Sequence, residues 1–379
     1  AILALAAFPA FAAQSEPDRV LAQSLIDIAQ SRLPDALRKI DGLTKSHPNF
    51  RLAQLVKGDL LLARARPLDT LGNTRASGEV EALREEARQR VRSITDESIR
   101  EKLPANLLSV APGYRHALVV DASRSRLFVF ANTADGPRQI ADYYVTVGKA
   151  GVGKQREGDN RTPIGIYTVT GFKARGELSD FYGGGAFTLS YPNEWDARQG
   201  RNGHGIWIHG SPSNTFSRAP KASEGCVVLS NNDLASLGRY IQNGKTPVII
   251  AREIDWVDPE QLTRRRSELA NAMEQWRRDW ESRDVDRLLR HYSTAFRSER
   301  ENYREFGETK RRVNAGKDWI KVDLDDVNLL LYPERGMAQV SFVQNYRSSN
   351  LNDRSVKRQL WTRENGRWQI LNEIQLQGG

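Results

Sequence analysis

Cysteine is all but missing from this chain: Cys226 is the only one in 379 residues. A lone cysteine cannot close an internal disulfide, which leaves an inert buried side chain, a bridge between molecules or a reactive thiol. Also missing is any later run of membrane-spanning length, so no integral membrane segment is expected in the mature form. Acidic residues are outnumbered, 47 against 56 Lys and Arg, for a formal charge of +9. That balance favours anionic partners: nucleic acid, an anionic membrane surface or a wall polymer. With 39% hydrophobic and 27% charged residues the chain is globular, and its length points to two or three domains.

The N-terminus narrows the partner. Ala1 to Ala13 is apolar but too short to span a bilayer as a helix. It closes in Ala10-Phe11-Ala12 before the polar Gln14-Ser15-Glu16-Pro17. This reads as the tail of a secretory signal peptide, residues 1–13, with a buried N-terminal helix as the alternative. Export places the protein in the periplasm, an oxidising compartment without a genome, where a single cysteine is safe from miswiring. Nucleic-acid binding conflicts with export and finds no recognition motif.

Residues 14–112 read as a helical N-terminal region. Val20, Leu21, Leu25, Ile28 and Ala29, then Leu37, Ile40 and Leu43, recur at helical spacing. Pro34 and Pro48 fall in the expected first turns of a second and third helix. The stretch resembles a tetratricopeptide-type hairpin, serving as a docking surface for protein partners or simply as packing. A charged helix is expected from Glu79 to Lys102, with Pro104 and Pro112 marking a boundary. His47 reads as a loop residue. From Tyr114 the period becomes extended, and His116 opens the first of several antiparallel strands in a structural role.

Gly148 to Lys154 fits the phosphate-loop spacing, but Gln155 stands where a magnesium-binding hydroxyl belongs and no helix is expected to follow. A glycine-rich hairpin loop is the better reading, and no cofactor is implied. His209 lies seventeen residues before Cys226, at the end of the apolar run Ile206-Trp207-Ile208. A free thiol is mostly protonated at neutral pH, so it needs a neighbouring base or cation. His209 can supply the base, and Gly210 permits a tight turn whose carbonyl can orient the imidazole. His204 is a possible substrate contact if Gly203 and Gly205 bend the chain. A zinc site built on the two histidines lacks a third ligand, so no metal is expected.

The strand pair, Asp159-Asn160-Arg161-Thr162-Pro163, His209-Gly210 and Ser223-Glu224-Gly225-Cys226 together resemble the L,D-transpeptidase (YkuD-type) catalytic domain over about Tyr114 to Arg252. The resemblance implies Cys226 as nucleophile, His209 as general base and acid, and the Gly225 and Cys226 amides as part of an oxyanion hole. Ser223 and Glu224 are further candidate substrate contacts. Glu224 and Val228 depart from the family pattern, which places histidine and a polar residue there.

Residues 260–379 hold a long helical stretch, Gln261 to about Tyr292, and then extended runs, the last two joined by an Asn365-Gly366 turn. This resembles an NTF2-like α+β cone, and its pairing with the catalytic domain resembles cell-shape carboxypeptidases. The expected fold is therefore a multi-domain α+β chain. It comprises an N-terminal helical, tetratricopeptide-like segment, a mainly-β catalytic domain over 113–254 and the C-terminal cone. The expected function is a periplasmic cysteine L,D-transpeptidase acting on peptidoglycan stem peptides through a thioester. The alternatives are an L,D-carboxypeptidase with water as acceptor and a non-catalytic wall-binding scaffold.

Overall fold

A computed structural model describes residues 13–67, 70–73, 78–333 and 336–376. The signal-peptide reading lies outside the described residues, apart from the backbone of Ala13. Residues 1–100, 116–131 and 138–253 make one compact unit, and 101–115, 132–137 and 254–379 a second.

The first unit begins with four helices: α1 (Glu16–Ala29), α2 (Leu33–Ser46), α3 (Arg51–Leu62) and α4 (Gly78–Thr95). Pro17 and Pro34 occupy the first turns of α1 and α2, where a missing amide costs nothing. Pro48 instead lies in the turn before α3, which starts three residues later. Leu21, Ala36, Ile40, Phe50, Leu52, Ala53 and Val56 pack at full burial between the helices. The charged helix stops at Thr95 rather than Lys102, because Asp96 turns its carboxylate onto the Ser98 amide (2.9 Å) and caps a short 3-10 turn.

A nine-stranded sheet follows in the same unit. Its spatial order is Ala13–Gln14, Gly136–Tyr144, Arg126–Thr133, His116–Asp121, Pro247–Ala251, Gly165–Ala174, Gly185–Leu189, Trp207–His209 and Val227–Val228. The central strands carry unbroken apolar runs, Leu118-Val119-Val120 and Val248-Ile249-Ile250, all without exposure, as expected of strands covered on both faces. The last strand runs parallel to its neighbour with Ile208 opposite Val227 and His209 opposite Val228. The strands from His116 and Arg126 pair antiparallel as expected, while Pro247–Ala251 runs parallel to His116–Asp121, so the sheet is mixed. His116 starts its strand with its ring edge-on to Tyr240 at 5.2 Å.

The helices are tied to this sheet by buried charge. Asp18 on α1 forms ion pairs with both Arg90 of α4 and Arg126 of the sheet, and Arg126 also binds Asp142. Arg90 also meets Glu86 at 2.8 Å and lies 4.0 Å over the Tyr144 ring. Burial pushes the Glu86 carboxyl up to about 8, against the Ser217 hydrogen bond that lowers it.

In the second unit, Leu103–Pro104 and Leu107–Ser109 are strands, pairing with Trp256–Val257 and Ile320–Leu331. Part of the stretch expected to be helical is therefore extended here. A six-stranded sheet, Tyr292–Ser298, Arg367–Leu376, Leu351–Glu364, Met337–Ser348, Ile320–Leu331 and Leu107–Ser109, wraps the helix Pro259–Glu281. Trp276, Trp361, Phe296 and Phe342 fill the core. The expected single helix to Tyr292 breaks at Arg283, whose φ is 64°, and restarts at Val285–Leu289 with Asp284 capping the Arg287 amide (3.0 Å). Asn365 and Gly366, at φ 50° and 77°, make the final hairpin turn. His291 is hydrogen-bonded to Asp279 at 2.7 Å.

Because Asp18 compensates two buried guanidinium groups, Asp18→Ala should cost about 3 kcal/mol or more of folding free energy. Urea unfolding followed by circular dichroism reads this directly, and a loss below about 1 kcal/mol would mean that Glu86 and Asp142 suffice.

Candidate active site

Side chains of a strand alternate between faces, and here the apolar pair Ile208 and Val227 points into the core with no exposure. Trp207, His209 and Cys226 therefore share the opposite face. Cys226 lies one diagonal step from His209 across the parallel pair. The Cys226 thiol is held by backbone on both sides: the Trp207 amide donates to Sγ at 3.4 Å, and Sγ donates to the Gly205 carbonyl at 3.3 Å.

His209 is 1% exposed. Its Nδ1 lies 2.7 Å from the Gly210 carbonyl, an acceptor, so that nitrogen carries the proton and Nε2 keeps a lone pair. Nε2 is buried and has no hydrogen-bond partner among the described residues. Gly210 is needed for closeness: a Cβ there would meet Asn231 Oδ1 at 2.1 Å. Asn231 itself accepts from the Gly184 amide (2.8 Å) and donates to the Ser211 carbonyl (2.9 Å), pinning the chain on either side of the Gly210 carbonyl.

The turn before the nucleophile is equally constrained. Gly225 has φ 128°, and a Cβ on it would meet the Arg161 carbonyl at 2.9 Å, so the Asp159 to Pro163 segment packs beneath the thiol turn. Ser223 is buried and uses its hydroxyl within this turn, donating to the Cys226 carbonyl (2.7 Å) and accepting from the Gly225 amide (3.1 Å). The hydroxyl thus holds the geometry of the turn. It also commits the Gly225 amide, so the oxyanion role expected of Gly225 is not available in this arrangement. Glu224 is exposed at the rim. His204 is exposed too, in the loop before the strand between Gly203 and Gly205 (φ 93° and 71°), with Nδ1 3.9 Å from Glu157. It is not brought to the thiol by any recorded contact. Lys154, the lysine of the phosphate-loop spacing, is paired with Asp159 at 3.0 Å.

Burial governs the charge state. It pushes the Cys226 thiol up to about 11, against the Trp207 hydrogen bond and the Arg218 charge that pull the other way. It lowers His209 to about 4 despite the Gly210 hydrogen bond. The resting pair is thus neutral thiol beside neutral imidazole.

Several neighbours carried no recognisable signal in the sequence. Tyr182 sets its ring 5.0 Å from both His209 and Trp207, and Phe181 lies 5.8 Å from His209. Burial, with the negative charge of Glu224, raises the Tyr182 hydroxyl, which stays a proton donor. The loop from Gly210 to Ala222 is anchored by the helical region. Phe216 stacks on Phe50 (4.3 Å) and touches His47 (4.9 Å). Its amide donates to the Asn49 carbonyl (3.2 Å), and Ser217 donates to Glu86 (2.7 Å). The described residues gather no group of three or more His, Cys, Asp or Glu able to hold a metal, and none of their helices is long and apolar enough to cross a membrane.

A buried imidazole with a free Nε2 and a lone thiol thus share one face at the sheet edge. Residues 115–250 match the L,D-transpeptidase catalytic domain, and residues 268–374 match the Cds6 C-terminal NTF2-like domain. The chain thus joins a domain that matches the L,D-transpeptidase catalytic domain to one that matches an NTF2-like domain. Among solved structures it is similar to Bd1075 of Bdellovibrio bacteriovorus: 28% identity, TM-score 0.66, 73% of this chain and 99% of that one. It is also similar to the helical cell shape determining protein Pgp2 of Campylobacter jejuni: 26% identity, TM-score 0.59, 74% and 96% coverage. No curated protein sequence matches it.

Two outcomes follow from this geometry. Alkylation of Cys226 by iodoacetamide needs the thiolate, so its rate should climb about tenfold per pH unit past the ordinary thiol value of about 8.5 without levelling. A plateau near that value would show a thiol freely solvated in solution. Asn231→Ala removes the prop behind Gly210 without touching either reacting group, and turnover should fall by about a hundredfold with the alkylation profile unchanged.

Proposed function

We propose that this chain is a periplasmic peptidoglycan L,D-transpeptidase that works through a Cys226 thioester. The supporting observation is the thiol of Cys226 on the same sheet face as His209, whose tautomer leaves Nε2 free as a base. Sγ attacks the carbonyl of the third stem residue as its proton passes to Nε2. The tetrahedral intermediate then collapses, the amide C–N bond breaks, and the imidazolium returns the proton to the departing amine of D-alanine. In the second half an amine of a neighbouring stem attacks the thioester, gives its proton to His209 and frees the thiol. Action in the periplasm fits the substrate and the similarity to a cell-shape protein. The helical region is read as a clamp on the loop before the nucleophile, with any protein partner still to be found on its outer side.

A second reading, an L,D-carboxypeptidase in which water takes the acyl group, is favoured by Val228. It is 2% exposed, lies opposite His209 in the strand pair and is bridged to Thr146, so no polar side chain there can hold an amine acceptor. Both readings share one acyl-enzyme and differ only in what reaches it.

The test is mass spectrometry of the enzyme with disaccharide-tetrapeptide, beside Cys226→Ala. Cross-linked dimers formed by wild type alone are expected for the transpeptidase. Tripeptide plus free D-alanine without dimers assigns the carboxypeptidase, and unchanged substrate with no protein adduct would overturn both in favour of a wall-binding scaffold.

A further inference from the structure

One charged group of the cleft has no task in the acyl-enzyme reading. Arg218 lies on the loop between His209 and Cys226, and its backbone is fixed from several directions. Its carbonyl accepts from the Tyr144 hydroxyl (2.9 Å) and from Thr146 Oγ1 (3.0 Å). The two residues before it are those anchored to the helical region, Phe216 in the helical core and Ser217 on Glu86.

The side chain then turns onto Phe181, the residue that flanks His209. Its guanidinium lies 4.7 Å over the Phe181 ring and donates to the Phe181 carbonyl at 3.4 Å. Phe181 in turn lies against His209 and Tyr182. Among the described residues no carboxylate is within ion-pair distance of Arg218. Glu224, the negative group that bears on it, acts through space. Burial lowers its pKa, which shows a cation partly stripped of water. Such a guanidinium, with a planar fork of donors and an aromatic face behind it, is suited to a carboxylate.

We propose that Arg218 binds the C-terminal carboxylate of the wall peptide and so selects stems whose scissile bond is followed by a single free D-amino acid. The assignment rests on the acyl-enzyme reading above. In such a stem the carboxylate carbon is three bonds from the carbonyl carbon that Sγ attacks, so the nucleophile and the anion site must lie within one residue of each other. A cation on the loop directly before the nucleophile, fixed at its backbone and resting on the ring that flanks the base, satisfies that requirement. A peptide whose terminus is amidated, or whose next carboxylate is a residue further out, forfeits this contact.

The test is calorimetric titration of Cys226→Ala, which binds without reacting, with disaccharide-tetrapeptide and with its C-terminal amide. The acid form should bind about ten- to hundredfold more tightly than the amide. With Arg218→Gln added, both forms should bind alike, at the level of the amide. Arg218→Met, which keeps the aliphatic stem over Phe181, should do the same and takes over the test if near-UV circular dichroism shows the glutamine variant misfolded. Equal weakening of both forms, or an intact preference for the acid, would overturn the assignment. If wild type fails to turn over the tetrapeptide but the acid form still binds through Arg218, the reaction is wrong and the carboxylate site stands. If neither form binds, both fall.

Discussion

The short contact between the Gly210 carbonyl and His209 Nδ1 fixes what the rest of the site can do. An imidazole with both nitrogens free can carry its proton on either one, and the Nε2–H form points a proton rather than a lone pair at the thiol. A carbonyl at 2.7 Å removes that choice. Holding it there requires a residue without a side chain, because Asn231 fills the space, and Asn231 is held by the Gly184 amide and the Ser211 carbonyl. The base is thus oriented by backbone that is itself propped by one amide side chain, and no carboxylate is needed behind it.

The second half of the site depends on a region far away in sequence. The loop that links base to nucleophile contributes Phe216 to the core of the N-terminal helices and Ser217 to Glu86. Those helices are tied to the sheet by Asp18, Arg90 and Arg126, charges too deeply buried to be left unpaired. A free loop of this length would cost conformational entropy each time it ordered over a substrate. Here that cost is met once, at folding, and the helical segment belongs to the catalytic unit as its clamp.

Much of this was legible in the residues because the signals are local. Cys226, His209 and Gly210 fall in short motifs, and the Asn365-Gly366 hairpin is written in the two residue types that tolerate positive φ. What was not legible depends on tertiary contact. Tyr182, Phe181 and Arg218 are ordinary aromatic and basic residues until the fold brings them round His209. Ser223 read as a substrate contact because its hydroxyl is polar and adjacent to the nucleophile. Only the turn geometry shows that hydroxyl spent on the Gly225 amide and the Cys226 carbonyl. The helix break at Arg283 was hidden because Leu288 and Leu289 continue the apolar pattern across it.

The neutral resting pair has a chemical consequence. An activated cysteine is usually a standing thiolate, and thiolates are the species that oxidise. Burial keeps Cys226 protonated and His209 neutral, so the free enzyme presents a poor target to oxidants. The proton need move only as the C–S bond forms, when negative charge passes from sulfur to the carbonyl oxygen, so the thiolate is never a stable resting species. Nε2 keeps a free lone pair on the sheet face that carries the thiol, and the thiol's backbone contacts, the Trp207 amide and the Gly205 carbonyl, suit either state: one donates to the thiolate and the other accepts from the thiol. The same burial that keeps the thiol protonated thus also restrains its reaction with oxidants.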